Sequence, residues 1–188
     1  MKLEVREISP ALAADFCQLH ARPEFGGCFC RFWQFEGDNN AWGKTTPEGN
    51  RTAKESEITS GQTRGALFYL DGKPIGWCQF AHRSFFKKMN ANPSFVSTAA
   101  DNIWSIGCMA VTKEARKKGL SKQMVEEILK LVAKQGGKTV EAYPRRDKKL
   151  PDEEVWMGPR RVFESLGFAV YFETPRYLIM RKYLDEKS

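Results

Sequence analysis

The feature that most constrains this chain is an apolar segment that runs through a basic turn into a long amphipathic helix. Leu120 to Lys134 places its apolar residues on one broad stripe, which predicts a helix packed on a core. Asn102 to Val111 is largely apolar and predicts a central strand. A buried strand that feeds a helix in this way is typical of a sheet with helices packed on it.

The turn between this strand and helix has the properties of an anion site. The first amides of a helix have no acceptor inside the helix and lie at the positive end of its dipole, so they bind phosphate readily. Gly119 lets the backbone approach a ligand. Positive charge around the turn comes from Lys113, Arg116, Lys117, Lys118 and Lys122. Neither a Walker nor a GxGxxG pattern is present, and the spacing alone fits a solvated basic turn equally well.

The remaining pattern predicts a mixed α/β fold. Apolar segments and turn residues give the order strand, helices, three strands, helix, strand, helix, two strands. Asp71-Gly72 is a turn dipeptide favoured between antiparallel strands, here Ala66 to Leu70 and Pro74 to Phe80. Residues 22–46 and 84–100 are expected to be irregular. A length of 188 residues predicts one domain, residues 1–188.

Two motifs resemble the GNAT superfamily of N-acetyltransferases. Met109-Ala110-Val111 followed by Arg116-x-x-Gly119-x-Ser121 is similar to the family's acetyl-CoA signature, although Ser121 replaces the usual Gly or Ala. Val162 to Phe168 resembles the second motif, a helix ending in Tyr-Glu-x-Leu-Gly-Phe. Both motifs occur in the family's order, with a strand between them. The resemblance covers about residues 1–183 and implies a GNAT-like fold, a central mixed sheet flanked by helices, with acetyl-CoA as co-substrate.

The resemblance also implies where acetyl-CoA binds. The strand ending at Val111 is expected to splay from the strand ending at Tyr143, with the pantetheine arm inserted between them. That arm would pair with the backbone of Met109 and Val111. A backbone N–H near Met109 would polarise the thioester carbonyl and so act in catalysis. The expected cofactor-binding residues are Met109, Ala110, Val111, Arg116, Lys117, Lys118, Gly119, Leu120 and Ser121.

The general acid and base are harder to place. Phe163 stands where many family members have the tyrosine that protonates the departing thiolate. Tyr143 is the expected acid because it ends the splayed strand, although it also fits a purely structural tyrosine at a strand edge. The acceptor ammonium must lose a proton before direct attack. Candidate bases in the aromatic segment, residues 17–42, are Glu24, Glu36 and Asp38.

The same segment is rich in cysteine and aromatic residues. Cys17-x-x-His20 with Cys28-x-Cys30 offers four zinc ligands, but the one-residue gap is unfavourable, and no metal is expected. These residues fit small buried side chains or thiols that line a pocket. Cys108 is interpreted as a buried structural cysteine. The aromatic residues fit either an acceptor pocket or a small core under a loop, and they are Phe25, Phe29, Phe32, Trp33, Phe35 and Trp42.

Charge and composition restrict the partners. The 30 Lys and Arg residues exceed the 23 Asp and Glu residues, so the net charge of +7 suits an anionic partner. No DNA- or RNA-binding signature accompanies the basic runs, which argues against nucleic acid. The run Arg145, Arg146, Lys148 and Lys149 fits a solvated face better than a ribose-phosphate contact. No apolar run approaches a membrane span, and the charged N-terminus does not resemble a secretory signal.

The sequence therefore predicts a cytoplasmic enzyme that acetylates a primary amine of a small molecule or peptide. The odd number of cysteines, five, suits a reducing compartment. Two alternatives stay open. One is an acyl-CoA-binding sensor without catalysis, which Phe163 suggests, and the other is a basic nucleic-acid-binding module. A homodimer is common in the family and is compatible with this sequence.

Overall fold

The computed structural model describes residues 3–95, 102–147, 150–151 and 154–184. Within them, seven strands form one sheet in the order β1-β2-β3-β4-β5-β7-β6. The strands are β1 (Leu3–Glu7), β2 (Ala66–Leu70), β3 (Lys73–His82), β4 (Ile103–Val111), β5 (Thr139–Ala142), β6 (Ala169–Glu173) and β7 (Leu178–Tyr183). Neighbouring strands are antiparallel, apart from the parallel pair β4 and β5. The sheet is mixed, as predicted, and β4 lies at its centre.

Helices cover both faces of the sheet. They are α1 (Ala13–His20), α2 (Asn39–Gly43), α3 (Pro47–Thr59), α4 (Lys87–Ala91), α5 (Leu120–Lys134) and α6 (Arg160–Ser165). The predicted apolar stripe of α5 is buried against one face, where Met124 and Ile128 pack into the main core with Phe163 of α6. On the other face, Phe16 of α1 and Ile58 of α3 pack in a second core. This two-sided arrangement is the flanked sheet that the sequence predicts.

Two segments expected to be irregular contain short helices. In residues 22–46, α2 begins after Asp38, whose side chain accepts a hydrogen bond from the amide of Ala41 at 2.7 Å. Residues 84–100 contain α4, and the described part of that segment ends at Phe95. Each of these helices has five residues, too few for a periodic apolar pattern to be recognised in the sequence.

The strands β4 and β5 pair over only the first part of β4. Ile103 to Ile106 lie opposite Thr139 to Ala142, whereas β4 continues to Val111 alongside β3. A β-bulge at Gly107 separates the two parts, because Cys108 lies opposite Gln79 and Ile106 opposite Phe80. The central strands therefore diverge, as the family resemblance implies, and the divergence opens one edge of β4.

Candidate active site

The basic turn before α5 has a backbone shape that depends on glycine. Gly119 precedes the helix with φ of 72°, a left-handed conformation that glycine adopts without strain. Lys117 also has a positive φ, 60°. A Cβ added at Gly119 would meet nothing within 4 Å. Glycine is therefore favoured here by the backbone conformation and not by a lack of space. The Arg116 Nε–H donates to the carbonyl of Val111 at 3.1 Å and ties the turn to the end of β4.

The amides of this turn are available to an anion. The Lys122 N–H donates to the carbonyl of Gly119 at 3.2 Å, and this is the first hydrogen bond at the N-terminus of α5. For the amides of residues 117–121, the described part of the chain provides no acceptor outside the helix itself, and the first amides of a helix have none inside it. Lys117, Lys118 and Gly119 are exposed, whereas Ser121 is half-buried. Unpaired N–H groups beside lysine and arginine side chains fit a diphosphate.

The open edge of β4 differs from expectation at one position. Thr112 donates to Ile75 of the neighbouring chain segment at 2.9 Å, so by the alternation of an antiparallel ladder the peptide groups of Met109 and Val111 face away from β3. The Met109 N–H, expected to meet a thioester carbonyl, instead donates to the carbonyl of Trp156 at 2.7 Å. The segment before α6 enters the gap between the diverging strands and occupies this donor in the present conformation.

One cavity of about 720 Å³ joins the turn, the end of β4 and the aromatic segment. Its lining residues are His20, Pro23, Glu24, Phe25, Gly26, Cys28, Cys30, Phe32, Trp33, Trp42, Gln79, Cys108, Met109, Ala110, Val111, Arg116, Lys117, Ser121, Val155, Trp156 and Pro159. Of the predicted cofactor-binding residues, Lys118, Gly119 and Leu120 do not line it. Lys118 and Gly119 lie exposed at the turn outside the cavity, and Leu120 is buried.

The aromatic segment forms one end of this cavity. Phe32 makes edge contacts with Trp33 and Trp42, with ring centroids 4.8 and 5.3 Å apart. Trp156, from the far end of the chain, packs against both Phe32 and Trp33. Phe29, by contrast, is buried in the second core. The segment therefore contributes both to the cavity wall and to the second core, and an acceptor pocket stays a prediction.

Glu24 is the carboxylate of the cavity wall. Its Oε1 accepts from Arg22 Nε at 2.8 Å, and only 5% of its side chain is exposed. The amide of Lys113 is 3.4 Å from the same oxygen, so the turn before α5 and the aromatic segment meet here. Burial raises the pKa of Glu24, but the Arg22 hydrogen bond and the nearby amides outweigh it and hold the pKa below its usual range. Glu24 is therefore a carboxylate at neutral pH.

The other two candidate bases lie outside the cavity lining. Glu36 pairs with Lys87 on the surface. Asp38 caps α2 through the amide of Ala41. Each of these two carboxylates thus has a structural role outside the cavity.

Tyr143 does not reach the cavity. Its hydroxyl is buried between Arg83, Glu141 and Ser105: Arg83 donates to it at 2.6 Å, and it donates to Glu141 at 2.7 Å. Burial and the Glu141 charge raise the pKa of Tyr143 far above its ordinary value. The expectation that Tyr143 is the general acid is therefore not supported, because the hydroxyl is engaged in a buried network. Phe163 is also fully buried, in the main core.

His20 and three cysteines line the same cavity. His20 Nδ1 is 3.2 Å from the Phe16 carbonyl, to which its N–H donates. Burial lowers the pKa of His20 to about 3, so the ring is neutral. Cys28, Cys30 and Cys108 line the cavity with it. No cluster of three or more His, Cys, Asp or Glu side chains among the described residues is arranged to hold a metal ion.

The basic run after β5 is engaged with surface carboxylates. Arg145 pairs with Asp147 at 2.8 Å and with Glu154 at 3.2 Å, and Arg146 pairs with Glu173 at 3.4 Å. Lys148 and Lys149 lie outside the described residues. Arg146, with 54% of its side chain exposed, lies on the solvated face that the sequence favours, whereas the Arg145 side chain is only 16% exposed.

Sequence reasoning missed the contribution of Val155, Trp156 and Pro159 to the cavity. The residue patterns around them carry one signal, a large aromatic residue just before the Gly158-Pro159 pair that precedes α6. That pair predicts a helix start, but it does not reveal that the chain folds back against β4. This contact joins residues far apart in sequence, and local patterns do not encode it.

A family model described as "Acetyltransferase (GNAT) family" matches residues 22–158. A comparison with curated protein sequences found no match. The matched range includes the turn before α5, the open edge of β4 and most of the cavity lining. In the described residues, no helix is long and apolar enough to cross a membrane.

Solved structures of acetyltransferases have similar folds. AAC(6')-Ib in complex with paromomycin and acetyl-CoA has a TM-score of 0.63 and 14% identity, over 97% of this chain and 94% of that chain. PaiA N-acetyltransferase from Thermoplasma acidophilum, in complex with coenzyme A, has a TM-score of 0.59 and 14% identity, over 98% and 100%. An N-acetyltransferase from Staphylococcus aureus Mu50 has a TM-score of 0.57 and 11% identity, over 98% and 100%.

Proposed function

The chain belongs to the GNAT acetyltransferase family, and we propose that it transfers an acetyl group from acetyl-CoA directly to a primary amine of a small molecule or peptide. The observation that carries the proposal is the single cavity in which unpaired amides and cationic side chains lie at one end. Aromatic rings lie at the other, and the Glu24 carboxylate lies where the two parts meet, beside the Lys113 amide. A thioester and an amine held in one cavity react without a covalent enzyme intermediate.

The turn before α5 binds the diphosphate in this proposal. The amides of residues 117–121 donate hydrogen bonds to it, and Arg116 and Lys117 add positive charge from the cavity wall. Met109, Ala110 and Val111 lie along the pantetheine arm. Ser121, half-buried beside the turn, adds a hydroxyl donor. The exposed Lys118 completes the cationic rim, and Leu120 anchors the first turn of α5 through its burial.

The thioester carbonyl is polarised by the Met109 N–H once the Trp156 carbonyl has been displaced from it. This exchange replaces one hydrogen bond with another, so its cost is chiefly the movement of the Trp156 segment. An N–H fixed on a sheet strand needs no reorganisation when negative charge develops on the oxygen. The hydrogen bond from the Met109 N–H to the Trp156 carbonyl thus supports a binding step that includes local rearrangement.

Glu24 attracts the acceptor ammonium and orients it beside the end of β4. Because its pKa is held low, Glu24 is a weak base, and water that reaches the cavity takes the proton from the ammonium. Aromatic rings of the same cavity, such as Phe32 and Trp42, favour a cationic amine. After the attack the nitrogen loses its second proton to water, the C–S bond breaks, and the CoA sulfur departs as a thiolate. A thiolate is a weak enough base to leave without a tyrosine acid.

The proposal includes a cytoplasmic location and a homodimer. The five free cysteines support a reducing compartment. Large apolar side chains are exposed along the edge strand β6, at Val170, Tyr171 and Phe172. An exposed apolar edge strand supports pairing with a second copy of the chain.

Calorimetric titration with acetyl-CoA tests the proposal directly. We expect saturable binding, followed by release of CoA when amines from an aminoglycoside, polyamine, amino acid and peptide panel are added. CoA should be measured by chromatography, because the protein's own cysteines react with thiol reagents. Absence of any binding heat up to millimolar acetyl-CoA would remove the proposed function. Binding without CoA release from any amine would favour the sensor alternative.

A further inference from the structure

We infer that Cys30 and Cys108 form an oxidisable thiol pair in the lining of the cavity, where a peroxide converts them to an intramolecular disulfide. The two side chains pack in the same buried cluster, the second core. They come from distant parts of the chain, the loop after α1 and the end of β4. Both line the cavity, although only 4% and 7% of their surfaces are exposed.

The backbone brings the two thiols together through Gln79. In the sheet Cys108 lies directly opposite Gln79. The Gln79 side-chain amide donates to the Cys30 carbonyl at 3.2 Å, and the Cys30 thiol is 3.3 Å from the Gln79 Oε1. Gln79 therefore pairs with Cys108 in the sheet and bonds to Cys30 through its side chain, which places both cysteines beside the same residue.

The loop that carries Cys30 is held in an unusual conformation. Phe29 and Cys30 have φ values of 46° and 53°, positions that non-glycine residues rarely adopt. Such strain persists only where the surrounding structure enforces it, and it is concentrated at functional sites. Here it directs the Cys30 side chain toward the sheet, where the Trp77 indole N–H donates to its sulfur at 3.1 Å.

The surroundings of Cys30 stabilise its thiolate more than the surroundings of the other cysteines stabilise theirs. Burial raises the pKa of Cys30, but the Cys108 contact and the charge of Lys54 outweigh it and bring the pKa below its ordinary value. The contact with Cys30 and burial raise the pKa of Cys108. The Trp77 N–H that donates to the Cys30 sulfur at 3.1 Å also stabilises a thiolate there. Cys30 is thus the nucleophile of the pair and Cys108 the resolving thiol.

The oxidation balances with one peroxide. The Cys30 thiol first loses its proton. Its thiolate then attacks a peroxide oxygen, the O–O bond breaks, and Cys30 becomes a sulfenic acid, while the leaving hydroxide combines with the proton that Cys30 released to give one water. The Cys108 sulfur then attacks the Cys30 sulfur, the S–O bond breaks, and the leaving hydroxide takes the Cys108 proton as a second water. Two thiols lose one electron each, and hydrogen peroxide is reduced to two waters.

The disulfide would form next to Met109, so it should oppose acetyl-CoA binding; this consequence rests on the proposed function. The disulfide brings the two sulfurs to covalent bonding distance and so links the loop to β4. It thereby fixes the loop against the strand at the point where the thioester is proposed to lie. We expect acetyl-CoA affinity to fall by about tenfold or more and to return with dithiothreitol.

The first test is a disulfide map that does not depend on activity. Native protein is treated with hydrogen peroxide, the free thiols are alkylated, and unreduced peptides are analysed by mass spectrometry. We expect a Cys30–Cys108 cross-link and two fewer free thiols per chain. No cross-link, or a cross-link between Cys28 and Cys30 or between two chains in its place, would overturn the inference.

Matched variants identify the pair. Cys30→Ser and Cys108→Ser should each form no intramolecular cross-link, whereas Cys17→Ser and Cys78→Ser, which change buried cysteines outside the cavity lining, should still form it. Cys28→Ser should also form it, and loss of the cross-link in this variant would overturn the assignment. Failure of a serine variant to fold leaves the wild-type map as the deciding measurement.

Calorimetry on the reduced and oxidised protein separates this inference from the proposed function. Reduced protein that binds no acetyl-CoA contradicts the function, while the mapped cross-link still supports the thiol pair. Oxidised protein that carries the cross-link and binds acetyl-CoA as tightly as reduced protein overturns the coupling between the two.

Discussion

At one end of the cavity the groups offered to a ligand are peptide N–H groups, and at the other end they are side chains. The first end is made by a short stretch from Val111 to Ser121, in which neighbours in sequence are neighbours in space. The second is assembled from the 20–42 region, β3, and residues 155–159. A site made by local backbone shape is visible in a sequence, whereas one made by distant side chains is visible only after folding.

Because the cofactor end depends on backbone conformation, Gly119→Val should have the largest effect. A β-branched residue at φ of 72° is strained by about 1–3 kcal/mol, and relief of that strain moves the amides that are proposed to bind the diphosphate. We expect acetyl-CoA binding to weaken about 10- to 100-fold in calorimetry.

Gly136→Val is the matched control for that prediction. Gly136 lies beyond the other end of α5 with φ of 78°, and a Cβ there also meets nothing within 4 Å. The strain is therefore similar, and both variants should lose stability in urea unfolding, but only the Gly119 variant should lose acetyl-CoA affinity. Equal affinity in the two would show that the turn conformation is not what binds the cofactor.

The acceptor end depends on charge, so Glu24→Gln should act on the amine alone. We expect kcat/KM for the amine to fall about tenfold or more, because the ammonium loses its ionised partner. Acetyl-CoA affinity should stay unchanged. Glu36→Gln removes a surface carboxylate outside the cavity and should leave both quantities at wild-type values.

The pH dependence of the rate tests whether Glu24 binds the amine or takes its proton. The pKa of Glu24 is held low, so its carboxylate keeps its charge as pH falls through the range in which ordinary carboxyl groups begin to bind protons. The rate should therefore rise with pH as the acceptor amine loses its proton, with the slope unchanged in Glu24→Gln. A slope that disappears in this variant would instead make Glu24 the base that titrates.

Trp156 lies where the two ends meet, and its replacement should change them in opposite directions. The indole packs on Phe32 and Trp33 while the backbone carbonyl occupies the Met109 N–H. Trp156→Ala should free the segment and tighten acetyl-CoA binding by about two- to fivefold, since less packing energy opposes its displacement. The KM for the amine should rise, because part of the pocket wall is lost.

Trp42→Ala separates these two effects. Trp42 lines the same cavity and packs on Phe32 and Phe35, but it belongs to α2, away from β4. It should raise the KM for the amine without changing acetyl-CoA affinity. Tighter acetyl-CoA binding in both variants would mean that cavity size, and not the Met109 donor, limits the cofactor.

The sequence predicts the features that local backbone makes better than the features that distant side chains make. The order of strands and helices, the central position of β4 and the turn at Gly119 come from periodicity and helix-start signals over short windows. The position of the Tyr143 side chain cannot be predicted from such signals. β5 ends at Ala142, and the next residue turns into the layer formed by Phe95 and Ile179. A strand end predicts where a chain leaves the sheet, but not which layer the next side chain enters.

The choice among carboxylates shows the same limit. Glu24, Glu36 and Asp38 are equivalent in the sequence, since all lie in one irregular aromatic segment. Glu24 lies at the cavity wall beside Arg22, a neighbour in sequence, and beside the amide of Lys113. The Lys113 contact joins residues that are 89 positions apart, so local patterns do not encode it. The family resemblance likewise gives the position of the missing tyrosine at Phe163 but not what replaces it.

The smallest expected effect on activity is that of Tyr143→Phe, which tests whether the buried network belongs to the site. The hydroxyl connects Arg83, Ser105 and Glu141, so its removal leaves a buried carboxylate with one donor fewer. The free energy of unfolding should fall by about 1–3 kcal/mol, while kcat and the KM for the amine stay at wild-type values. Tyr177→Phe is the control, because the Tyr177 hydroxyl has no hydrogen-bond partner among the described residues; it should change neither stability nor rate. A large loss of kcat at unchanged stability in Tyr143→Phe would instead connect the network to the reaction and remove the contrast between cavity and core.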